Sequence, residues 1–265
     1  MGFIGGSLGY GMLRIIAPAP GGVGGDADTN RACKLERLFG PRFLRGLRGR
    51  TVIDFGCGDG VQAVAIAEMI PDCRVIGLDI QPRLLEQART HAARRGVSDR
   101  CRFGSTTDER ADVIISIDAF EHFDDPAGIL TAMSRLIKPG GEVRASFGPT
   151  WLHPYGGHLF SVFPWAHLIF TERALIRWRS RFRADRATCF SEVDGGLNQI
   201  RIAEFEQLVH DSPLAVDWLE TVPIRNLPFL RWKPLREFGS SIVRCRLVRR
   251  EDLGQNLQAI GELAT

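Results

Sequence analysis

Residues 51–60 read Thr-Val-Ile-Asp-Phe-Gly-Cys-Gly-Asp-Gly, and no other stretch of the chain restricts its fold as strongly. The β-branched run Thr51-Val52-Ile53 reads as a buried strand. It leads into three alternating glycines, Gly56, Gly58 and Gly60, and the apolar helical segment Val61–Ile70 follows at once. Glycines at a strand-to-helix turn accept positive φ and let a ligand approach backbone without meeting a Cβ. The helix behind them presents unpaired N–H groups. The turn is shaped to hold something flat and polar across the top of a strand.

The details of the loop narrow the ligand. The pattern is D-x-G-x-G-x-G with Asp54 at the strand end, not the G-x-G-x-x-G of a dinucleotide fold or the Lys-Ser/Thr ending of a P-loop. No Arg or Lys stands in the loop to meet a pyrophosphate. The next strand, Arg74-Val-Ile-Gly-Leu-Asp79, ends on a carboxylate that can accept both hydroxyls of a ribose. Loop and acid together suit a nucleoside whose other end is small and zwitterionic, S-adenosylmethionine rather than NAD.

Four blocks then follow in order: Asp54-Phe-Gly-Cys-Gly-Asp-Gly60, Gly77-Leu-Asp-Ile80, Asp112-Val-Ile-Ile-Ser-Ile-Asp-Ala-Phe-Glu-His122 and Leu136-Ile-Lys-Pro-Gly-Gly141. In order and spacing the chain resembles the class I S-adenosylmethionine-dependent methyltransferases, in their small-molecule branch, closely over about 50–150 and loosely elsewhere. The resemblance implies an α/β, Rossmann-like, doubly wound sheet of seven mostly parallel strands with an antiparallel last strand. It implies S-adenosyl-L-methionine as cofactor. The implied donor contacts are Asp54, Gly56, Cys57, Gly58 and Gly60 in the loop, and Asp79, Ile80 and Gln81 after the second strand. Asp118 and Ala119 follow after the fourth. The family usually places an acid after the third strand against the adenine amine; here Thr106, Thr107 or Asp108 could serve.

The periodicity agrees with such a sheet. Strands are expected at 51–55, 74–79, 101–104, 112–117 and 142–148, with helices over 61–70, 82–95 and 125–136. Pro82 starts the second helix and Gly96 stops it. The link Ser105–Ala111 is too short for a full crossover helix. Beyond it, 201–209 has helical spacing, and 215–222 and 240–248 read as the closing strands. Four parts result: a flexible N-terminal segment and lid helix (1–40), a donor-binding core (41–148), a substrate cap (149–200), and the completion of the sheet with a tail (201–265). Residues 1–27 read as mobile or ordered only against a ligand; nine glycines fall within the first 30 residues. Asp28-Thr29-Asn30 offers an N-cap for a helix over 33–39.

The cap follows a strand end that should face the methyl donor, and connections of that length are normally functional. It carries Trp151, Trp165 and Trp178 of the five tryptophans. His153 and His158 of the cap, with His122 after the fourth strand, are candidate general bases, since imidazole near its natural pKa suits proton removal from a hydroxyl or amine. His153 is expected nearer the reacting methyl than His158 or His167, because it follows the fifth strand by a few residues. The competing reading makes His153 and His158 structural histidines bonded to backbone carbonyls, and Glu121-His122 a structural start to the next turn. The spacing of His153, His158 and His167 matches no familiar metal pattern, so no metal is expected.

Composition sets the remaining bounds. A net charge of +3 does not by itself imply a nucleic-acid partner. The chain lacks the Asn/Asp-Pro-Pro-aromatic turn and the Pro-Cys nucleophile of base methylation, so nucleic acid is not the expected acceptor. The six cysteines form no C-x-x-C pair, as suits reduced thiols in a cytoplasm. No run reaches the roughly 18 apolar residues of a membrane span. Arg173, Arg177, Arg179, Arg181, Arg183 and Arg186 form the densest positive patch, and the apolar stretch Leu159–Phe170 beside them keeps a membrane-surface contact open; the other reading is a solvated helix face. The expected activity is methyl transfer to a small-molecule or sugar-containing acceptor, on O, N or C. The alternative is a donor-binding, non-methylating enzyme of cyclase type, or a binding module.

Overall fold

The computed structural model describes residues 2–18, 32–193 and 195–253. Seven strands, β1 (Thr51–Phe55), β2 (Arg74–Leu78), β3 (Cys101–Gly104), β4 (Ala111–Ile117), β5 (Ile137–Phe147), β6 (Leu214–Pro223) and β7 (Ser240–Arg249), form one sheet in the order β3-β2-β1-β4-β5-β7-β6. β1 to β5 run parallel, and β7 is antiparallel to both neighbours. This is the doubly wound sheet with an antiparallel last strand that the motifs implied. The helices are α1 (Gly6–Ile16), α2 (Ala32–Phe39), α3 (Pro41–Arg45), α4 (Val61–Met69), α5 (Pro82–Arg94), α6 (Pro126–Leu136), α7 (Ala166–Ile169), α8 (Glu172–Arg179), α9 (Ile202–His210) and α10 (Arg236–Gly239).

Strand alternation sorts the core into two layers. Val52, Val113 and Ile115 face a cluster filled by Ala63, Val64 and Ile66 of α4, Ala92 of α5, and Leu35 and Phe43 of α2 and α3. Ile53, Ile114 and Val143 face the other way, against Leu130 and Met133 of α6 and Ile202 and Phe205 of α9. Burial on both faces is what parallel strands rich in Val and Ile require. α6 begins where Asp125 accepts the N–H of Gly128 at 2.9 Å, with Pro126 in its first turn. Residues 105–110 hold no helix, as their length dictated. β5 starts earlier than expected. Ile137 already pairs with Ala111, and the ladder resumes at Glu142 opposite Val113, so Lys138–Gly141 form an irregularity inside the strand rather than a turn before it.

The cap has its own core. Trp151, Phe160, Phe170, Leu175, Trp178 and Phe190 pack with Leu13 and Ala17 from the N-terminus. The expectation of mobility over 1–27 is corrected for residues 2–18. α1 lies against α8, and the Trp178 indole donates to the Ala17 carbonyl at 2.7 Å. Burial of Leu13 and these bonds supply an ordering force that a glycine-rich sequence does not advertise. The remainder of that segment, with the Asp28-Thr29-Asn30 cap, lies outside the described residues, as does the tail from 254. Among the described residues, no helix is long and apolar enough to cross a membrane.

Candidate active site

A cavity of about 640 Å³ opens beyond the carboxyl ends of β1, β2 and β4. That is where ligands bind in open α/β sheets. The three loop glycines turn out to have different tasks. Gly58 has φ +54 and lines the cavity, and a Cβ there would meet nothing within 4 Å. Gly60 does not line it. A Cβ on Gly60 would stand 2.6 Å from Ala88 and 2.7 Å from the Phe103 ring, so this glycine lets α5 and β3 close on the loop. Gly56 lines the cavity, and its Cβ position faces Ala119 and Phe123.

Asp79 holds the other side of the crook. Its Oδ2 accepts the Gly58 N–H at 2.9 Å and its Oδ1 accepts the Gln81 N–H at 2.8 Å. A carboxylate has about four lone-pair sites, so two remain for hydroxyl donors. Ile80 and Gln81 also line the cavity, and Ile80 presents an exposed apolar side chain there.

Two residues expected in the loop contacts are placed elsewhere. Asp54 is buried and off the cavity wall. It shares the strand parity of Val52 and so points toward α4. Burial, then the charge of Asp79, pushes its pKa up to about 7. Cys57 is buried too, its N–H bonded to the Leu78 carbonyl at 2.9 Å, and burial drives its thiol far above the ordinary range. After β3 it is Ser105 that lines the cavity; Thr106 is exposed and off the wall, and Thr107 accepts the Glu109 N–H at 3.1 Å.

The end of β4 supplies the remaining expected contacts. Asp118, at φ +51, and Ala119 both line the cavity. Lys34 of α2 forms an ion pair with Asp118, which ties α2 to the cavity rim. His122 also lies on the wall. Its Nδ1 is 2.8 Å from the Gly196 carbonyl. A carbonyl can only accept, so Nδ1 carries the hydrogen, and the neutral ring keeps its lone pair on Nε2. The His158 ring meets His122 edge-on at 5.4 Å. Burial, then the charges of His122 and His167, pushes His158 down to about 4.

His153 is not on the cavity wall, and neither are His158 and His167. It is buried, its Nδ1 accepts the Tyr155 N–H at 3.0 Å, and its Nε2 has no partner. Burial, then His167, lowers its pKa to about 4. His167 is a structural histidine: Nε2 donates to the Trp151 carbonyl at 2.7 Å, and Nδ1 lies 2.8 Å from the Ser161 hydroxyl. Among the described residues no group of three or more His, Cys, Asp or Glu could hold a metal ion.

Sequence reasoning missed the support behind His122. The Asn198 amide donates to the Phe120 carbonyl at 2.6 Å and the Phe123 carbonyl at 2.9 Å, clamping the loop that carries the histidine. Glu121 is buried beneath it, with Oε1 accepting the Gly148 N–H at 3.1 Å, and burial lifts its pKa to about 7.

The comparisons with known proteins agree with this geometry. Residues 47–149 match the family model described as a methyltransferase domain. The ubiquinone biosynthesis O-methyltransferase of Sodalis glossinidius is 40% identical over 105 residues, covering 37% of this chain and 41% of that protein. The ribosomal protein L11 methyltransferase of Photobacterium profundum is 36% identical over 123 residues, covering 46% of this chain and 40% of that protein. Residues 47–149 thus carry a methyltransferase domain.

Solved structures share the fold of this chain at low identity. The mitomycin 7-O-methyltransferase MmcR superposes with a TM-score of 0.54 at 20% identity, over 83% of this chain and 53% of that one. Magnesium protoporphyrin IX methyltransferase from Synechocystis PCC 6803, with bound SAH, gives 0.52 at 17% identity, over 92% and 94%. The chain spans about two fifths of the two curated relatives, 41% and 40% of their lengths. One is named for ubiquinone biosynthesis and the other for a ribosomal protein.

The cavity fits S-adenosylmethionine on its own chemistry. Its wall includes Asp79, Asp118, Asp124 and Asp125 and, among the described residues, no Lys or Arg. Such a wall favours a cationic ligand, and S-adenosylmethionine carries both a sulfonium and an ammonium group. It opposes the pyrophosphate of a dinucleotide.

Proposed function

We propose that the protein methylates a hydroxyl group of a small, uncharged and largely apolar acceptor, with S-adenosylmethionine as donor. The observation that carries this reading is His122: a ring on the cavity wall, fixed by the Gly196 carbonyl, with a free lone pair on Nε2. Bound in the crook of Gly58 and Asp79, S-adenosylmethionine would supply an electrophilic methyl group.

The chain's own groups do the rest. Phe55, Phe123, Ile129 and Val193 give the cavity apolar walls that bind an acceptor ring and exclude water. His122 Nε2 takes the hydroxyl proton as the oxygen becomes nucleophilic, and the Gly196 carbonyl, which accepts from Nδ1, stabilises the resulting imidazolium. The carboxylates of the wall disfavour phosphorylated acceptors. Both relatives above are named as methyltransferases, which favours turnover over the donor-binding alternative.

The test is formation of S-adenosylhomocysteine with a panel of hydroxylated aromatic and alicyclic compounds, each with its phosphate ester as counterpart. The expected result is turnover of uncharged members, and a fall in kcat of about 10²–10⁴ for His122→Gln. Donor binding without turnover of any panel member, or equal rates for the phosphate esters, overturns the reading.

A further inference from the structure

The N-terminal helix turns an apolar face outward. Phe3, Leu8, Ile15 and Ile16 are 80%, 71%, 83% and 49% exposed. Leu8 and Ile15 are two helical turns apart and share one side of α1. Placing such side chains in water is costly unless something covers them. Nothing about the attachment of α1 is loose. Gly9 and Leu13 are buried against the cap, the Phe3 and Ile4 N–H groups both reach the Ile169 carbonyl, and the Thr171 N–H returns to the Ile4 carbonyl at 2.9 Å. The apolar side chains are therefore held outward by a helix that is fixed in place.

On α8, which packs against α1, runs a row of positive charge. Arg173, Arg177 and Arg181, each one helical turn after the last, are exposed on or just past α8, and Arg183 and Arg186 follow. Arg177 lies 4.2 Å and Arg14 5.9 Å from the centre of the Tyr10 ring on α1, so arginines stand along the flank of the helix. The neighbouring acids are already engaged. Asp185 pairs with the buried Arg179, and Glu172 accepts the Phe190 N–H. α1 itself has no acidic residue.

We propose that the α1–α8 face docks on an anionic lipid bilayer, with Phe3, Leu8 and Ile15 entering the headgroup boundary and the arginines binding lipid phosphates. An exposed apolar stripe on a helix too short to span, with arginines on the helix packed against it, is the pattern of interfacial binding. Charge selects the occupant: an arginine row repels a second copy of itself and attracts an anionic surface. A nucleic acid would satisfy the arginines but leave the apolar side chains in water. This proposal is independent of the acceptor chemistry above.

The test is co-sedimentation of the full chain with phosphatidylcholine vesicles, with and without phosphatidylglycerol. The expected result is binding that needs the anionic lipid and weakens with salt. Leu8→Ser/Ile15→Ser should bind at least tenfold more weakly, and Arg173→Glu/Arg181→Glu should lose the preference for phosphatidylglycerol. All four positions are exposed, so thermal melting and S-adenosylhomocysteine binding should match the wild type and show that the variants are folded. Absence of sedimentation, equal binding to neutral vesicles, or binding unaffected by the serine pair overturns the proposal. So does a wild-type dimer that the serine pair dissociates, or tighter binding to RNA than to vesicles.

Discussion

The backbone N–H of Gly58 lies 2.9 Å from Oδ2 of Asp79, which ties the loop after β1 to the acid after β2. One carboxylate thus sets the loop and faces the cavity. Asp79→Ala should weaken binding of S-adenosylhomocysteine by about 1–3 kcal/mol, through lost ribose bonds and a loosened loop. Because Asp79 is only half-buried, the melting temperature should change little. Calorimetric titration checks this, and an unchanged Kd would falsify the assignment of Asp79 to the donor.

The glycines support a paired prediction. Gly58→Ala places a Cβ in open cavity at φ +54, so it should cost about 1–2 kcal/mol of stability and block donor binding. Gly60→Ala drives a Cβ into Ala88 and Phe103 at φ +76, and should cost about 2–4 kcal/mol while the remaining folded protein still binds donor. Urea unfolding and titration on both variants separate the two effects. If Gly60→Ala is as stable as the wild type, the packing role is wrong.

These differences mark where the sequence was legible. The order of strands and the crook at Gly58 and Asp79 followed from local patterns, because strand, turn and helix signals lie within a few residues of one another. Asp54 was also readable, since strand alternation puts it on the side of Val52 and away from the crevice; the motif drew attention from that signal. What could not be read locally is what long-range bonds decide. Gly196 fixes the His122 tautomer and Asn198 clamps Phe120 and Phe123, from segments 74 and 78 residues away. α1 is ordered by Trp178, 161 residues from Ala17. Nothing in a glycine-rich N-terminus announces such a partner.

Asn198 offers the sharpest test of that clamp. Asn198→Ala leaves the carbonyls of Phe120 and Phe123 without their amide donor and removes the acceptor of the Ile200 N–H at 3.0 Å. The expected stability loss is about 1–3 kcal/mol. His122 should lose its fixed position, so kcat should fall at least tenfold while donor Kd stays within twofold. Equal losses in kcat and donor affinity would show instead that Asn198 supports the whole cavity.

Buried titratable groups make opposing contributions to stability between about pH 4 and 7. Asp54 and Glu121, raised to about 7 from 3.8 and 4.5, bind protons more tightly when folded. Their contribution is full below the unfolded values and is lost as pH rises toward 7. His153 and His158, lowered to about 4 from 6.5, bind protons less tightly when folded. Their contribution is full above 6.5 and is lost as pH falls toward 4. The two pairs offset each other, so the wild type should vary little in urea midpoint between pH 5 and 7. Asp54→Asn removes a term that falls with pH, and its stability should rise more steeply across that window than the wild type's. His153→Gln removes a term that rises with pH, and its stability should decline across the same window. Midpoints that run parallel to the wild type in both variants would mean that neither group changes its proton affinity on folding.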